Sequence, residues 1–151
     1  MEATGRPIVH SECYCADCQA GARRLEALAS APPVANRDGG TPYLVYRDDR
    51  IRVVAGEHLL SQIRLMEDSP TTRYFASCCN SGMYLKFAPG HWTSAYERRF
   101  SGNVPDLEMR YQLADLREGE TVADDLPCSK RFPVALLWRL MASRLAMALG
   151  R

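Results

Sequence analysis

Cys13-Tyr14-Cys15-Ala16-Asp17-Cys18 places three thiols in one short run. Cysteines this close are poorly placed to pair with each other as unstrained disulfides. Their sulfurs can, however, all turn toward one centre. Three converging thiolates suit Zn²⁺, which favours sulfur and imidazole and takes four ligands in a tetrahedron. One loop supplying Cys13, Cys15 and Cys18 leaves the fourth corner to another side chain, a water or a substrate. Ordinary reduced thiols, behaving as small hydrophobes, are the plain alternative. The polar flanks Glu12, Asp17 and Gln19 argue against that. Cys15-Ala16-Asp17-Cys18 has the spacing of a redox dithiol, but the extra Cys13 and the lack of a βαβ pattern favour metal.

The frame around this loop is a chain of 151 residues with a formal charge of +1. That length predicts one domain burying about 70% of its unfolded surface, so it does not need a metal merely to fold. The balanced charge shows no nucleic-acid footprint and predicts no nucleic-acid partner. Met1 to Val9 holds no apolar run long enough for a signal peptide, and no segment reaches the length of a membrane span. With clustered cysteines, this favours a cytoplasmic, metal-binding protein over a disulfide-bonded one.

The flanking pattern is mainly β. Pro7 to Glu12 reads as a strand feeding the cysteine loop. Asp17 is a candidate cap for a helix over Cys18 to Ala29, with Ala22, Leu25, Leu28 and Ala29 on one stripe. Tyr43 to Tyr46 and Ile51 to Val54 read as strands around the charged turn Arg47 to Arg50. Ile63 to Leu65 alternates. Thr72 to Ala76 and Met83 to Phe87 read as a pair around Cys78-Cys79-Asn80-Ser81-Gly82. Met83, Leu85 and Phe87 have the period of one buried face. The expectation is an α+β, mainly β domain over residues 1–105. Residues 106–151 add an acidic connector and a C-terminal amphipathic helix packed on the same domain.

The connector carries Asp106, Glu108, Asp115, Glu118, Glu120, Asp124 and Asp125 against Arg110 and Arg117. The tail carries Lys130, Arg131, Arg139, Arg144 and Arg151 and no acid. Pro133 suits a helix start, and Gly150 suits its stop. Val134, Leu137, Trp138, Met141, Leu145 and Leu149 form a helical stripe. Such a stripe is expected to be covered by its own domain or by a second copy, giving a homodimer. The sharper alternative is a basic amphipathic helix lying on an anionic membrane.

Two segments carry a resemblance. Val9-His10-Ser11-Glu12-Cys13-Tyr14-Cys15-Ala16-Asp17-Cys18-Gln19 resembles the Cys-His-Cys-x-x-Cys-Arg segment of the glutathione-dependent formaldehyde-activating enzyme family, which includes centromere protein V. Arg73-Tyr74-Phe75-Ala76-Ser77-Cys78-Cys79-Asn80-Ser81 is similar to that family's Arg-x-Phe-Cys-x-x-Cys-Gly-Ser segment. The match spans roughly His10 to Phe87 and fits a divergent offshoot whose second motif ends Cys-Cys-Asn. The resemblance implies a β-tent-like zinc fold with two metal sites. One is the cysteine triplet, associated with thiol chemistry. The other is a structural site made from an early Cys-x-Cys and a later Cys-x-x-Cys.

Here the early pair is missing, Ala76 replaces the first cysteine of the later pair, and Cys79 matches the second. One zinc site is therefore expected. Cys78 and Cys79 then have three readings: a buried relic, a fourth ligand to the triplet, or a reactive thiol. His10 is a candidate hydrogen-bond donor to a thiolate. His58, His91 and Cys128 are expected to be incidental, and Asp48-Asp49 and Asp124-Asp125 to be solvated.

Two function classes follow. The first resembles carbon-sulfur lyases acting on thiol–aldehyde adducts of the glutathione and formaldehyde type, with a small thiol such as glutathione as partner. The second is a non-catalytic zinc-stabilised module whose basic C-terminal helix docks on a partner or membrane surface.

Overall fold

The computed structural model describes residues 1–150, so Arg151, one of the tail's bases, lies outside the described residues. The fold is α+β and mostly sheet. Its strands are β1 (Glu2–Ala3), β2 (Val9–Cys13), β3 (Thr41–Arg47), β4 (Ile51–Arg52), β5 (Leu60–Ile63), β6 (Thr71–Ala76), β7 (Ser81–Phe87), β8 (Trp92–Tyr96), β9 (Met109–Tyr111) and β10 (Cys128–Ser129). The helices are α1 (Ala16–Glu26) and α2 (Val134–Ala148). The main sheet runs β10-β9-β2-β3-β8-β7-β6-β5, with β1 and β4 forming a separate small ribbon.

β2 is the strand that carries the site. It runs antiparallel to β3, with Val9 opposite Val45 and Cys13 opposite Thr41. On its other edge it runs parallel to β9, with Cys13 opposite Tyr111. All of Val9 to Cys13 is buried, although His10, Ser11 and Glu12 are polar. Burial on both edges is tolerated because most of these groups are partnered. Glu12 accepts from Asn36 Nδ2 at 2.6 Å and from Arg110 Nε at 3.1 Å. Arg110 also donates to Asp125 and to the carbonyl of Ala123. The connector's acids thus serve as structural partners: Asp125 holds Arg110, and Glu108 pairs with Arg139 of α2.

Several expected features shift. The strands around Arg47 to Arg50 do not pair with each other; β3 pairs with β2 and β8, and β4 leaves to pair with β1. A 3-10 turn at Asp48–Arg50 carries the chain away. Asp48 and Asp49 are not simply solvated: Asp48 pairs with Lys86 and accepts from Thr93 Oγ1, while Asp49 pairs with Arg47. The β6–β7 hairpin forms as its pattern predicts, with an irregularity between Tyr74 and Phe75. Met83, Leu85 and Phe87 are only half-buried there, while Ser81 and Gly82 are covered. A side chain at Gly82 would meet Val34 at 2.8 Å, so the strand relies on glycine to let that residue approach.

The core joins α1, the sheet and α2 in one cluster containing Leu25, Val34, Tyr43, Tyr96, Tyr111, Leu136 and Leu140, together with Cys13 and Cys18. α2 turns Leu136 and Leu140 inward, and Ser143 Oγ lies 2.7 Å from His91 Nε2. The predicted stripe faces the other way. Val134, Leu137, Trp138, Met141, Leu145 and Leu149 are exposed, Trp138 by 66%. A sequence stripe reports that a helix has an apolar side; α2 is apolar nearly all round, so the stripe did not choose its buried side. Among the described residues, no helix is long and apolar enough to cross a membrane.

Candidate metal centre

β2 delivers Cys13 to the end of the sheet, and α1 begins three residues later. Between them the chain stays pinned to its neighbours. Tyr14 N–H donates to the Tyr111 carbonyl at 3.0 Å, extending the β2–β9 pairing past the strand end. Gln19 Nε2 donates to the carbonyls of Tyr14 and Asp115 at 2.7 and 2.8 Å. The Asp115 carboxylate accepts the Ala16 N–H at 3.0 Å. The loop is therefore held from β9's side of the sheet by residues nearly a hundred positions away in sequence.

The helix cap differs from the one expected. α1 starts at Ala16, and its N-cap is Cys15, whose Sγ accepts the Cys18 N–H at 3.3 Å. Asp17 lies inside the first turn, where its charge complements the positive helix end. A thiolate at an N-cap gains the same complementarity, and cysteines at helix N-termini are accordingly the acidic ones.

This geometry brings the sulfurs of Cys13, Cys15 and Cys18 within 4.8 Å of one another. Four sulfurs around zinc at about 2.3 Å stand about 3.8 Å apart, so the trio needs only a small contraction to share an ion. Cys13 and Cys18 are buried, whereas Cys15 is half-buried and forms the edge toward solvent. The three thiols already act as a unit. Hydrogen bonds from Cys13 and then Cys18, followed by backbone N–H groups of Cys18 and Asp17, pull Cys15 down to about 3 against the opposing effect of burial. Cys13 is pushed up, first by its hydrogen bond to Cys15. At Cys18 the hydrogen bond with Cys13 pulls down, but Cys15 and burial outweigh it and push the thiol up to about 12. Cys15 is thus the thiol most favoured as a thiolate, with Cys13 and Cys18 as its hydrogen-bonding neighbours. A divalent ion is the group that would let all three ionise together.

The walls are aromatic. Tyr43 of β3 lies with its Oη 3.6 Å from Cys18 Sγ. Tyr111 of β9 is buried beside Cys13, and burial followed by the charge of Cys13 and Cys18 holds its phenol far above the ordinary value. The polar flanks seen in sequence are not a wet surface: Glu12 and Gln19 are buried and hydrogen-bonded.

The other candidates stand apart from the trio. Cys78 and Cys79 occupy the exposed β6–β7 turn, with their sulfurs 3.8 Å apart and Cys79 Sγ 3.1 Å from Ser81 Oγ. Neither sulfur belongs to the group formed by Cys13, Cys15 and Cys18. Asn80 takes a left-handed φ of 55° there, a conformation asparagine tolerates in place of glycine. His10 does not reach a thiolate; its Nδ1 lies 2.8 Å from the Pro105 carbonyl, and its Nε2 faces Glu97. Cys128 is exposed, and all six cysteines are free. The pattern of the sequence does not mark Asp115, Tyr43 or Tyr111 as parts of the site, and the one signal it holds for them is the apolar-aromatic strand containing Tyr43. No protein-family model matches the chain, and no curated protein matches it.

Proposed function

We propose that this chain binds one Zn²⁺ through Cys13, Cys15 and Cys18 and uses the centre to capture a small thiol, of the glutathione type. The observation that carries this is the convergence of three sulfurs at a helix N-terminus with one half-buried edge. The likeness of the two cysteine segments to the glutathione-dependent formaldehyde-activating enzymes supports thiol–aldehyde adducts as the substrate class and carbon-sulfur lysis as the reaction class. Bound zinc would supply a site where an incoming sulfur is held as a thiolate; a centre already carrying three anionic sulfurs favours that over water activation.

The chain's own contribution is to hold the donors. Cys15 presents the accessible sulfur. Gln19 and Asp115 lock the loop through its backbone. Tyr43 and Tyr111 exclude water from the inner side. Calorimetric titration tests this directly. Glutathione should bind the zinc-loaded protein, and S-methylglutathione should bind much more weakly, since methylation blocks sulfur coordination. Equal binding of the two would reject the capture of a thiol by the metal.

A second reading rests on α2. Its outward row of Val134, Trp138, Met141, Leu145 and Ala148 repeats at intervals of four and three, the spacing of a helix-pairing seam. Several such side chains, exposed together, present roughly several hundred Å², approaching the ~800 Å² per partner of a standard interface. We infer that α2 pairs with α2 of a second copy, the zinc loop bracing the sheet on which α2 rests. Sedimentation should then show a dimer that Met141→Glu converts to a monomer with unchanged zinc content. A wild-type monomer would overturn this reading. If that monomer bound vesicles rich in anionic lipid, the face would belong to a membrane surface.

A further inference from the structure

Behind the cysteine loop, three buried polar atoms have no partner: Arg73 Nε, Arg73 Nη1 and Tyr96 Oη. Arg73 projects from β6 and is only 1% exposed. Its Nη2 donates to the Asp17 carbonyl at 2.7 Å, within the cysteine run itself. It crosses Gly21 of α1 so closely that a Cβ there would lie 2.0 Å from Nε. Among the described residues no carboxylate pairs with it. A buried guanidinium without a counter-charge is costly, so this one is expected to answer to a negative group nearby.

The neighbours define a path to that group. Tyr96 of β8 is close enough to Arg73 and Cys18 to feel the charge of both, and to Arg73 and Tyr43 to interact through its hydroxyl. Its ring centroid is 5.2 Å from that of Tyr43. Tyr43 Oη is in turn 3.6 Å from Cys18 Sγ. The donor inventory gives this row a direction. A guanidinium only donates, a thiolate only accepts, and each phenol donates one hydrogen while accepting another. Once Cys18 is a metal-bound thiolate, Tyr43 must donate to it. Tyr43 Oη is then free to accept from Tyr96, and Tyr96 Oη from Arg73. One polarity thus gives Tyr96 Oη and one of the orphaned Arg73 nitrogens a partner.

We propose that Arg73, Tyr96 and Tyr43 form a directed hydrogen-bond chain that ends on the Cys18 thiolate and positions it as a metal ligand. This rests on the zinc reading of Cys13, Cys15 and Cys18. Three thiolates and one Zn²⁺ leave a formal charge of −1, and Arg73 supplies the balancing positive charge from the dry side of the site. Partners of this kind orient ligands, and their loss commonly weakens metal binding by about 10- to 100-fold.

The test uses zinc competition and the cobalt-substituted protein, whose sulfur-to-cobalt charge-transfer band reports directly on the thiolates. Tyr43→Phe keeps the ring and removes the last donor. It should weaken zinc binding by about tenfold and move the band to lower energy, since an unbonded thiolate holds its electrons less tightly. Tyr96→Phe should shift both readouts in the same direction by less. The double variant should match Tyr43→Phe alone, because Tyr96 can act only through Tyr43. A packing role would instead give additive losses and leave the band in place. An unmoved band in Tyr43→Phe, or additivity in the double variant, overturns the chain while leaving the zinc site standing. A wild-type protein that takes up neither cobalt nor zinc overturns both.

Discussion

Cys13, Cys15 and Cys18 close the end of an interior strand, whereas Cys78 and Cys79 sit at the tip of the β6–β7 hairpin. Both groups are cysteines close in sequence, and the backbone decides what they become. At the first site the chain leaves β2 and turns into α1, so successive sulfurs point back toward one spot. The walls come from β3 and β9, and the loop's polar backbone is satisfied by Gln19 and Asp115. At the second site the chain reverses in the open. Its two sulfurs reach each other and Cys79 reaches the Ser81 hydroxyl, but both residues are exposed and, among the described residues, no third cysteine converges on them. Proximity of thiols makes a candidate metal centre only where the fold also supplies convergence and a covered inner side.

The largest expected effect tests that contrast by metal content. Cys15→Ser removes the proposed sulfur ligand while its hydroxyl keeps an N-cap acceptor for the Cys18 N–H, so the helix start is preserved. It should abolish stoichiometric zinc, measured by elemental analysis on folded protein. Cys78→Ser and Cys79→Ser should each keep about one zinc per chain, as one site of three thiolates and an exchangeable corner requires. Loss of zinc in either turn variant would mean that the hairpin swings onto the centre as its fourth ligand, closing the site and removing the basis for thiol capture.

The cysteine run was legible because metal-ligand spacing is local: Cys13, Cys15 and Cys18 need only their own loop to converge. The β6–β7 hairpin was legible for the same reason, its two strands and turn being contiguous. The supports of the site were not, because they arrive by pairings that no local period announces. Tyr111 reaches Cys13 through a three-residue parallel strand embedded in a charged connector. Asp115, one acid among several in that connector, proves to hold the start of α1. Asp17 looked like the cap because acidic side chains usually serve there, yet the thiol of Cys15 occupies the position. Which side of α2 enters its own domain was not legible for a further reason. Periodicity shows which side of a helix is apolar, but Leu136 and Leu140 won the core by position against the sheet.

The smallest effect sharpens the comparison within the open turn. Cys79 is held below the ordinary thiol value of 9.0, first by the Ser81 hydroxyl and then by the Ser81 backbone N–H, while Cys78 is raised, first by its hydrogen bond with Cys79. Cys79 should therefore be alkylated by iodoacetamide faster than Cys78, and its rate should climb from a lower pH. Ser81→Ala removes the leading cause of the depression. The sign follows directly: with one donor gone the thiolate is less favoured, so the pH at half-maximal rate moves up toward 9.0. At neutral pH the Cys79 rate should fall by less than about tenfold, because the backbone donor remains and water screens an exposed sulfur. Mass spectrometry of the turn peptide after timed alkylation separates the two thiols. Zinc content and the protection of Cys13, Cys15 and Cys18 by metal should not change, since Ser81 touches only the turn sulfur among the cysteines. An unchanged or faster Cys79 rate in Ser81→Ala would show that the turn's reactivity is set by exposure alone, and the two regions would then differ in covering rather than in how their hydrogen bonds tune sulfur.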